Sequence, residues 1–289
     1  MAAATHPAFP SPIHAIAGRA LRLLICCSLL FLPQCGPAEP EGTEIGAPVA
    51  EVLCANWVSH ALLQSLLGDA VPVHCLLDPA TSSTDAADQA EAESFQPSRD
   101  QLQRLQRARL VVLHGSHLEK WAERSNLAAS RVVDGSRPLL GFLIMKEGKA
   151  HSHGPGGEHS HKLPNPYTWL SPQLLGKQAD DLAARLKQAF PDHADAIEQA
   201  HKQLSAELSQ LDQDFKTLGT AFAQVPANAD GEAFTLPGSH PAFEYLSKRY
   251  GLQFQGADDP KVDLLLQPKA QSISARLRAN LAYLQSLLP

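Results

Sequence analysis

Positive charge is in deficit in this chain. Lys and Arg number 24 against 30 Asp and Glu, the formal net charge is -6, and no basic stripe runs along any segment. The electrostatic attraction that drives binding to a phosphate backbone is therefore missing, which excludes nucleic acid as the expected partner. A membrane-spanning run is missing too. The apolar stretch Leu23 to Leu32 (LLICCSLLFL) is about ten residues, against the roughly twenty that a spanning helix needs. No HExxH or comparable set of ligands with a general base occurs, so a zinc hydrolase is not expected. There is no internal repeat. Cysteine is scarce in the body, since three of the five (Cys26, Cys27 and Cys35) fall in or at the end of the N-terminal apolar stretch.

What is present is an ordinary globular composition, with 44% hydrophobic and 19% charged residues, enough for a packed core in a soluble body. A chain of 289 residues exceeds one average domain but falls short of two once a leader is removed, which fits two unequal lobes. Arg19 and Arg22 ahead of the apolar stretch and Pro33-Gln34-Cys35-Gly36 behind it read as a signal peptide over 1–35. Cys35, three residues after Leu32, resembles the modified cysteine of bacterial lipoproteins, although Gln34 is larger than the residue usual before it. Export to the periplasm or cell surface with a lipid anchor on Cys35 is the expectation. Residues 36–50, rich in Pro, Gly and Glu, suit a flexible tether. The body cysteines, Cys54 and Cys75, either pair or remain buried thiols.

From Glu51, β-like runs (VLCA, VPVHCLL, LVVL at 110–113, RVVD at 131–134) alternate with helix-like ones (Trp57 to Leu67, Pro97 to Arg107, a segment opening at Leu118). That alternation predicts βα units and a mostly parallel sheet in an N-terminal lobe over 51–191. Ser171-Pro172 predicts a helix start, with an N-cap and a first-turn proline, and Pro191 its end. Next, Ile197, Ala200, Leu204, Leu208, Leu211, Phe215, Leu218 and Phe222 recur at spacings of three and four, without an interior break until Gly219. One helix over 192–222 would extend roughly 45 Å, long enough to join two lobes, or to form one arm of a coiled coil. AFTL, the run HPAFEYLSKRYGL and a final helix over Ile273 to Leu288 leave a small second lobe, 223–289. The fold class expected is α/β, two βα lobes joined by one long backbone helix, the second lobe reduced.

His151, His153, His159 and His161, with Glu158, occupy eleven residues interrupted by glycines and a proline. Imidazole is the usual nitrogen ligand of zinc, so this segment reads as a flexible capture or sensing loop, or as a solvated spacer. His114 and His117 follow LVVL, where open α/β sheets usually bind ligands; each is otherwise a structural or exposed histidine.

Four stretches, VLCANWVSHALLQSLLGDAVPVHCLLDP, SFQPSRDQLQRLQRARLVVLHGSHLEKW, the His-rich segment with NPYTWLSPQ, and SHPAFEYLSKRYGL, occur in an order that resembles the zinc/manganese-type substrate-binding proteins of ABC transporters. The resemblance implies an ion (zinc or manganese) held in a cleft between two lobes, delivery to a membrane permease, a monomer, and no catalysis. It also implies cleft ligands. Where the family has histidines, this sequence carries Glu93 ahead of SFQPS, Tyr167 in NPYTWLSP and the retained His240 of SHPAF. His114 stands where the family often has asparagine. Much of the family's C-terminal lobe is missing, and the nearest carboxylates to the fourth ligand, Asp258 and Asp259, read as a turn before Pro260. His240 and Glu93, completed by His114 or His117, are the expected cleft ligands, with Tyr167 lining the pocket. A diverged periplasmic metal buffer or interaction protein is the alternative function.

Overall fold

Four short strands, mostly apolar with one polar residue each, set the framework: β1 (Val49–Cys54), β2 (Val73–Cys75), β3 (Ala108–Leu113) and β4 (Val132–Asp134). They form an all-parallel sheet in the order β2-β1-β3-β4, with Leu53 beside His74 and Val111, and Val111 beside Val132. A parallel sheet has both faces covered, which is why its strands read as continuous apolar runs. Val52, Cys54, Leu110, Val112 and Val133 enter the larger core, while Leu53, Val111 and Leu113 turn to a second cluster around Leu105 and Trp121. The computed structural model describes residues 49–77, 95–147, 151–152, 158–159, 162–229, 231–257 and 272–289. The leader, the tether up to 48 and Cys35 lie outside these.

α1 (Trp57–Leu67) is started by Asn56, whose Oδ1 accepts the Ser59 amide at 3.0 Å, and closed by Gly68 at φ 52°. α2 (Arg99–Arg107) opens on a reciprocal Ser98/Gln101 capping box, two residues later than Pro97 suggested. The segment at Leu118 is not a helix but a five-residue 3-10 turn, Lys120–Arg124, because Ser116 and His117 take left-handed backbone angles that delay any helical start. α3 (Pro172–Ala189) buries Leu175, Ala179, Leu182 and Leu186 as its periodicity requires, and ends before Pro191.

The long helix is α4 (Ala194–Ala223), 30 residues, packed against α1 and α3. It passes through Gly219. Gly219 is where the carbonyl of Tyr250 approaches: a Cβ would stand 1.7 Å from that oxygen. Beyond α4, the AFTL stretch contributes its last residue to a strand, β9 (Leu236–Pro237), which pairs in parallel with β10 (Phe254–Gln255). α5 (Glu244–Tyr250) and α6 (Ile273–Gln285) complete this part, and both pack on α4. Arg276 lies over the Trp57 ring at 4.1 Å. One continuous apolar core runs from Val52 and Leu63 through Leu208 and Phe215 to Leu246, Leu277 and Leu284.

The described residues of and around the His-rich segment pair as short strands. β5 (Met145–Glu147) pairs antiparallel with β8 (Lys162–Pro164), and further out β6 (His151–Ser152) pairs with β7 (Glu158–His159). The sequence reading of a flexible loop is corrected to a ribbon at these positions, with His151 directly opposite His159.

Candidate metal centre

The C-terminal end of β3 runs into Leu113-His114-Gly115-Ser116, a turn that only glycine can make. Gly115 sits at φ +85°, and a Cβ there would stand 2.0 Å from Asp134 Oδ1. The turn is tied down by Glu119, whose Oε1 accepts the His114 amide and Asn56 Nδ2, and whose Oε2 accepts the Gly115 amide, each at 3.0 Å. Asn56 thus caps α1 with its oxygen and holds Glu119 with its nitrogen. Burial drives the Glu119 carboxyl up to about 7, partly offset by the Gly115 and His114 amides.

His114 is 2% exposed. Its Nε2 donates to the carbonyl of Pro166 at 2.8 Å, with Thr168 Oγ1 at 3.2 Å from the same nitrogen. Burial holds its imidazole at about 4, well below the ordinary range, so it is neutral at physiological pH. This side chain fastens the turn that carries Tyr167.

From His114 a file of rings crosses the site. His114 meets Trp169 edge-on at 4.8 Å between centroids, Trp169 meets Tyr167 at 5.2 Å, and Tyr167 meets His240 at 4.8 Å. Edge-to-face pairs at these separations are favoured electrostatically over stacked ones. Asn165 holds the far end of the file. Its Oδ1 accepts the Tyr167 amide at 3.0 Å, its Nδ2 donates to Pro241 O at 2.9 Å and Glu244 Oε2 at 3.0 Å, and its own carbonyl accepts Tyr245 Oη at 2.7 Å. The sequence reading gave Asn165 no role. Its signal was the Asn-Pro dipeptide, which marks a turn but not the partners of the turn.

His240 is half-buried, and its Nδ1 accepts the Ala242 amide at 3.1 Å as the cap of a short turn. A neutral imidazole that accepts at Nδ1 carries its proton on Nε2. Coordination through Nε2 therefore requires the proton to leave that atom and the cap bond to loosen.

The structure therefore brings Tyr167 and His240 together and leaves His117 elsewhere. His117 is exposed, with Nδ1 3.8 Å from Glu123 Oε1, and lines a cavity of about 580 Å³ together with Asp134, Ser136 and Arg137. His151 and His159 are backbone register partners on the ribbon. Glu93, His153, His161, Asp258 and Asp259 lie outside the described residues. Among the described residues no group of three or more His, Cys, Asp or Glu is placed to hold a metal ion. Cys54 and Cys75 are register partners on β1 and β2 and are free thiols; burial pushes the Cys54 thiol up.

The family described as zinc-uptake complex component A, periplasmic (ZnuA), matches residues 52–280. The high-affinity zinc uptake system protein ZnuA of Bacillus subtilis (strain 168) is 30% identical over 239 residues, covering 80% of this chain and 68% of that protein. Among solved structures, the metal-dependent lipoprotein YcdH of Bacillus subtilis superposes with a TM-score of 0.61 at 18% identity, over 83% of this chain and 100% of that one. The laminin-binding adhesin Lmb of Streptococcus agalactiae does so with a TM-score of 0.60 at 21% identity, again over 83% and 100%. At such identities the structural likeness shows the fold alone, and that fold is the α/β one expected. By the match over residues 52–280, the chain belongs to the family of periplasmic A components of zinc-uptake complexes.

Proposed function

We propose that this protein binds zinc, or manganese, outside the cytoplasm and presents it to the membrane permease of an ABC importer. The ion is cargo in this reading, neither a reactant nor a resident cofactor. One observation carries it: Asn165 staples the turn of Tyr167 to the turn of His240, so that two of the three histidine positions of the family converge ring to ring at 4.8 Å. His240 supplies one donor and the carboxylate of Glu93 a second. Zinc requires three or four donors. His114 is committed to Pro166, so a third donor would come from His117 moving in from the turn after β3, while His151, His153, His159 and His161 form a separate, weaker set. A neutral phenol is a poor ligand, and Tyr167 lines the site without coordinating. In the mature protein, residues 36–50 tether lobes 51–191 and 223–289, flanking helix 192–222, to a lipid on Cys35.

A second reading, a metal buffer or interaction protein on the same scaffold, is favoured by the Tyr167 replacement and by the capping role of His240 Nδ1.

Zinc titration separates the two. Deleting 151–161 should remove weaker zinc equivalents, whose binding falls below about pH 6 as imidazoles protonate, and leave one tighter site. In that background His240→Ala and Glu93→Ala should each weaken binding at least about tenfold, and Tyr167→His should strengthen it by a similar factor. Equal affinity in all four proteins would leave the second reading standing.

A further inference from the structure

Exposed large apolar side chains are few among the described residues, and they are not scattered. Leu140 (72% exposed), Met145 (51%) and Phe142 (41%) fall within six positions, and Leu163 (37%) lies on β8, the strand paired with β5. Val49 stands apart at the start of β1, beside Ala108. Single exposed apolar residues are ordinary, whereas a cluster of them marks a contact surface.

The run Leu139-Leu140-Gly141-Phe142-Leu143-Ile144-Met145 holds more apolar side chains than its turn can bury. Leu139, Leu143 and Ile144 take the inner side, against Leu174 and Tyr245. Two hydrogen bonds fix that choice: the Phe142 amide donates to Leu139 O at 2.7 Å, and the Ile144 amide to Tyr245 Oη at 3.2 Å. Leu140, Phe142 and Met145 are left outward on a braced backbone.

Cations stand around this tip. Lys177 Nζ lies 4.6 Å over the Phe142 ring, Lys248 and Phe142 border one cavity, Arg137 and Leu140 border another, and Lys146 is the register partner of Leu163. The nearby acids are already engaged. Glu244 is held by Lys146 at 2.5 Å and by Asn165, Glu147 by Lys162, and Asp134 Oδ1 by the amide and hydroxyl of Ser136. Arg137, Lys177 and Lys248 enter no ion pair among the described residues. A chain of net charge -6 thus gathers unpaired positive charge around its cluster of exposed apolar side chains.

We propose that this tip docks on an anionic phospholipid bilayer. Leu140, Phe142 and Met145 enter the boundary between headgroups and acyl chains, and Arg137, Lys177 and Lys248 meet lipid phosphates. Apolar insertion and headgroup attraction add at such a boundary, and the cations offset the repulsion that an acidic chain meets there. The proposal rests on the reading of an exported, tethered protein only for its nearness to a bilayer. Fully extended, residues 36–50 span about 50 Å, so an anchor on Cys35 supplies a high local concentration and a weak contact suffices.

Flotation tests this on the chain from residue 36, which keeps the whole described core and lacks the proposed leader and Cys35. Vesicles of phosphatidylcholine with about 30% phosphatidylglycerol should capture it, and vesicles of phosphatidylcholine alone should not. Capture should fall as salt rises from about 50 to about 500 mM. Leu140→Ser combined with Met145→Ser should weaken capture at least about tenfold, and Lys177→Gln or Lys248→Gln about fivefold each. Val49→Ser, which removes an exposed apolar side chain elsewhere, should leave capture unchanged. Melting midpoint and zinc affinity should match the parent in every variant, which separates this contact from the metal site. No capture, equal capture by neutral vesicles, or capture undiminished by the Leu140 and Met145 changes overturns the proposal. Capture only by vesicles that carry the importer's permease also overturns it, and assigns the tip to a protein partner.

Discussion

Burial drives the two titratable groups at the end of β3 in opposite directions. His114 is held at about 4, so between roughly 6.5 and 4 the unfolded chain takes up a proton that the folded one refuses, and stability falls as pH drops. Glu119 is raised to about 7, so between 4.5 and 7 the folded chain keeps a proton that the unfolded one has released, and stability falls as pH rises. Each contribution is at most about 3 kcal/mol, and the two largely cancel between 4.5 and 6.5. Relative to wild type, His114→Gln should therefore become more stable at pH 5 than at pH 7, since the glutamine Nε2 can still donate to Pro166 O. Glu119→Gln should become less stable at pH 5 than at pH 7. Urea midpoints across this range read both slopes, and slopes of the same sign would contradict the assignment. The sequence marked His114 as a candidate ligand by its place after an apolar run, and that place is correct. What it could not mark is the occupation of Nε2, because the acceptor lies 52 residues further along.

At the scale of elements, α4 shows how packing can reverse a propensity. Glycine inside a helix costs about 1 kcal/mol relative to alanine, so Gly219→Ala on propensity alone would stabilise. The added Cβ would instead meet the carbonyl of Tyr250 at 1.7 Å, backbone that cannot swing aside. The expected outcome is a loss of about 1–3 kcal/mol in denaturant unfolding, with α5 displaced from α4. Zinc affinity should fall with it, since α5 follows the His240 turn. A neutral or stabilising Gly219→Ala would mean that α5 is free to move at no cost. Periodicity was sufficient to read the apolar stripe of α4, and a stripe of that period continues through a glycine. The helix read over 192–222 runs through Gly219, where the approach of Tyr250 leaves room for no side chain.

For the whole molecule, the parallel sheet and the helices on α4 account for the main connected core, and the proposed leader would direct where that core resides. Among the described residues no helix is long and apolar enough to cross a membrane; the attachment proposed is a lipid on Cys35. Cys35→Ala should move the protein from the membrane fraction to the soluble exported fraction, and mass spectrometry of the wild type should show acyl chains on the N-terminal cysteine. A variant that stays with the membrane, alongside a wild type without acyl chains, would remove the anchor from the proposal. The second lobe expected to be small is represented among the described residues by a two-stranded parallel sheet, α5 and α6.

Strand and helix positions were determined by the sequence because their causes are local. Apolar runs fit a sheet covered on both faces, spacings of three and four fit a buried helix stripe, and Ser-Pro, Gly and Pro mark the ends. The order of four motifs was likewise sufficient to indicate the family. Whether a histidine is a ligand, a fastener or a cap was decided only by tertiary structure, since it depends on what lies opposite each ring nitrogen. His114 is committed by Pro166, Asn165 reaches Glu244 across 79 residues, and the Ser171 side chain does not cap its helix although the sequence presents it as a cap. Hydrogen bonds are satisfied at about 3 Å in space, and no spacing along a chain encodes which distant group will arrive there.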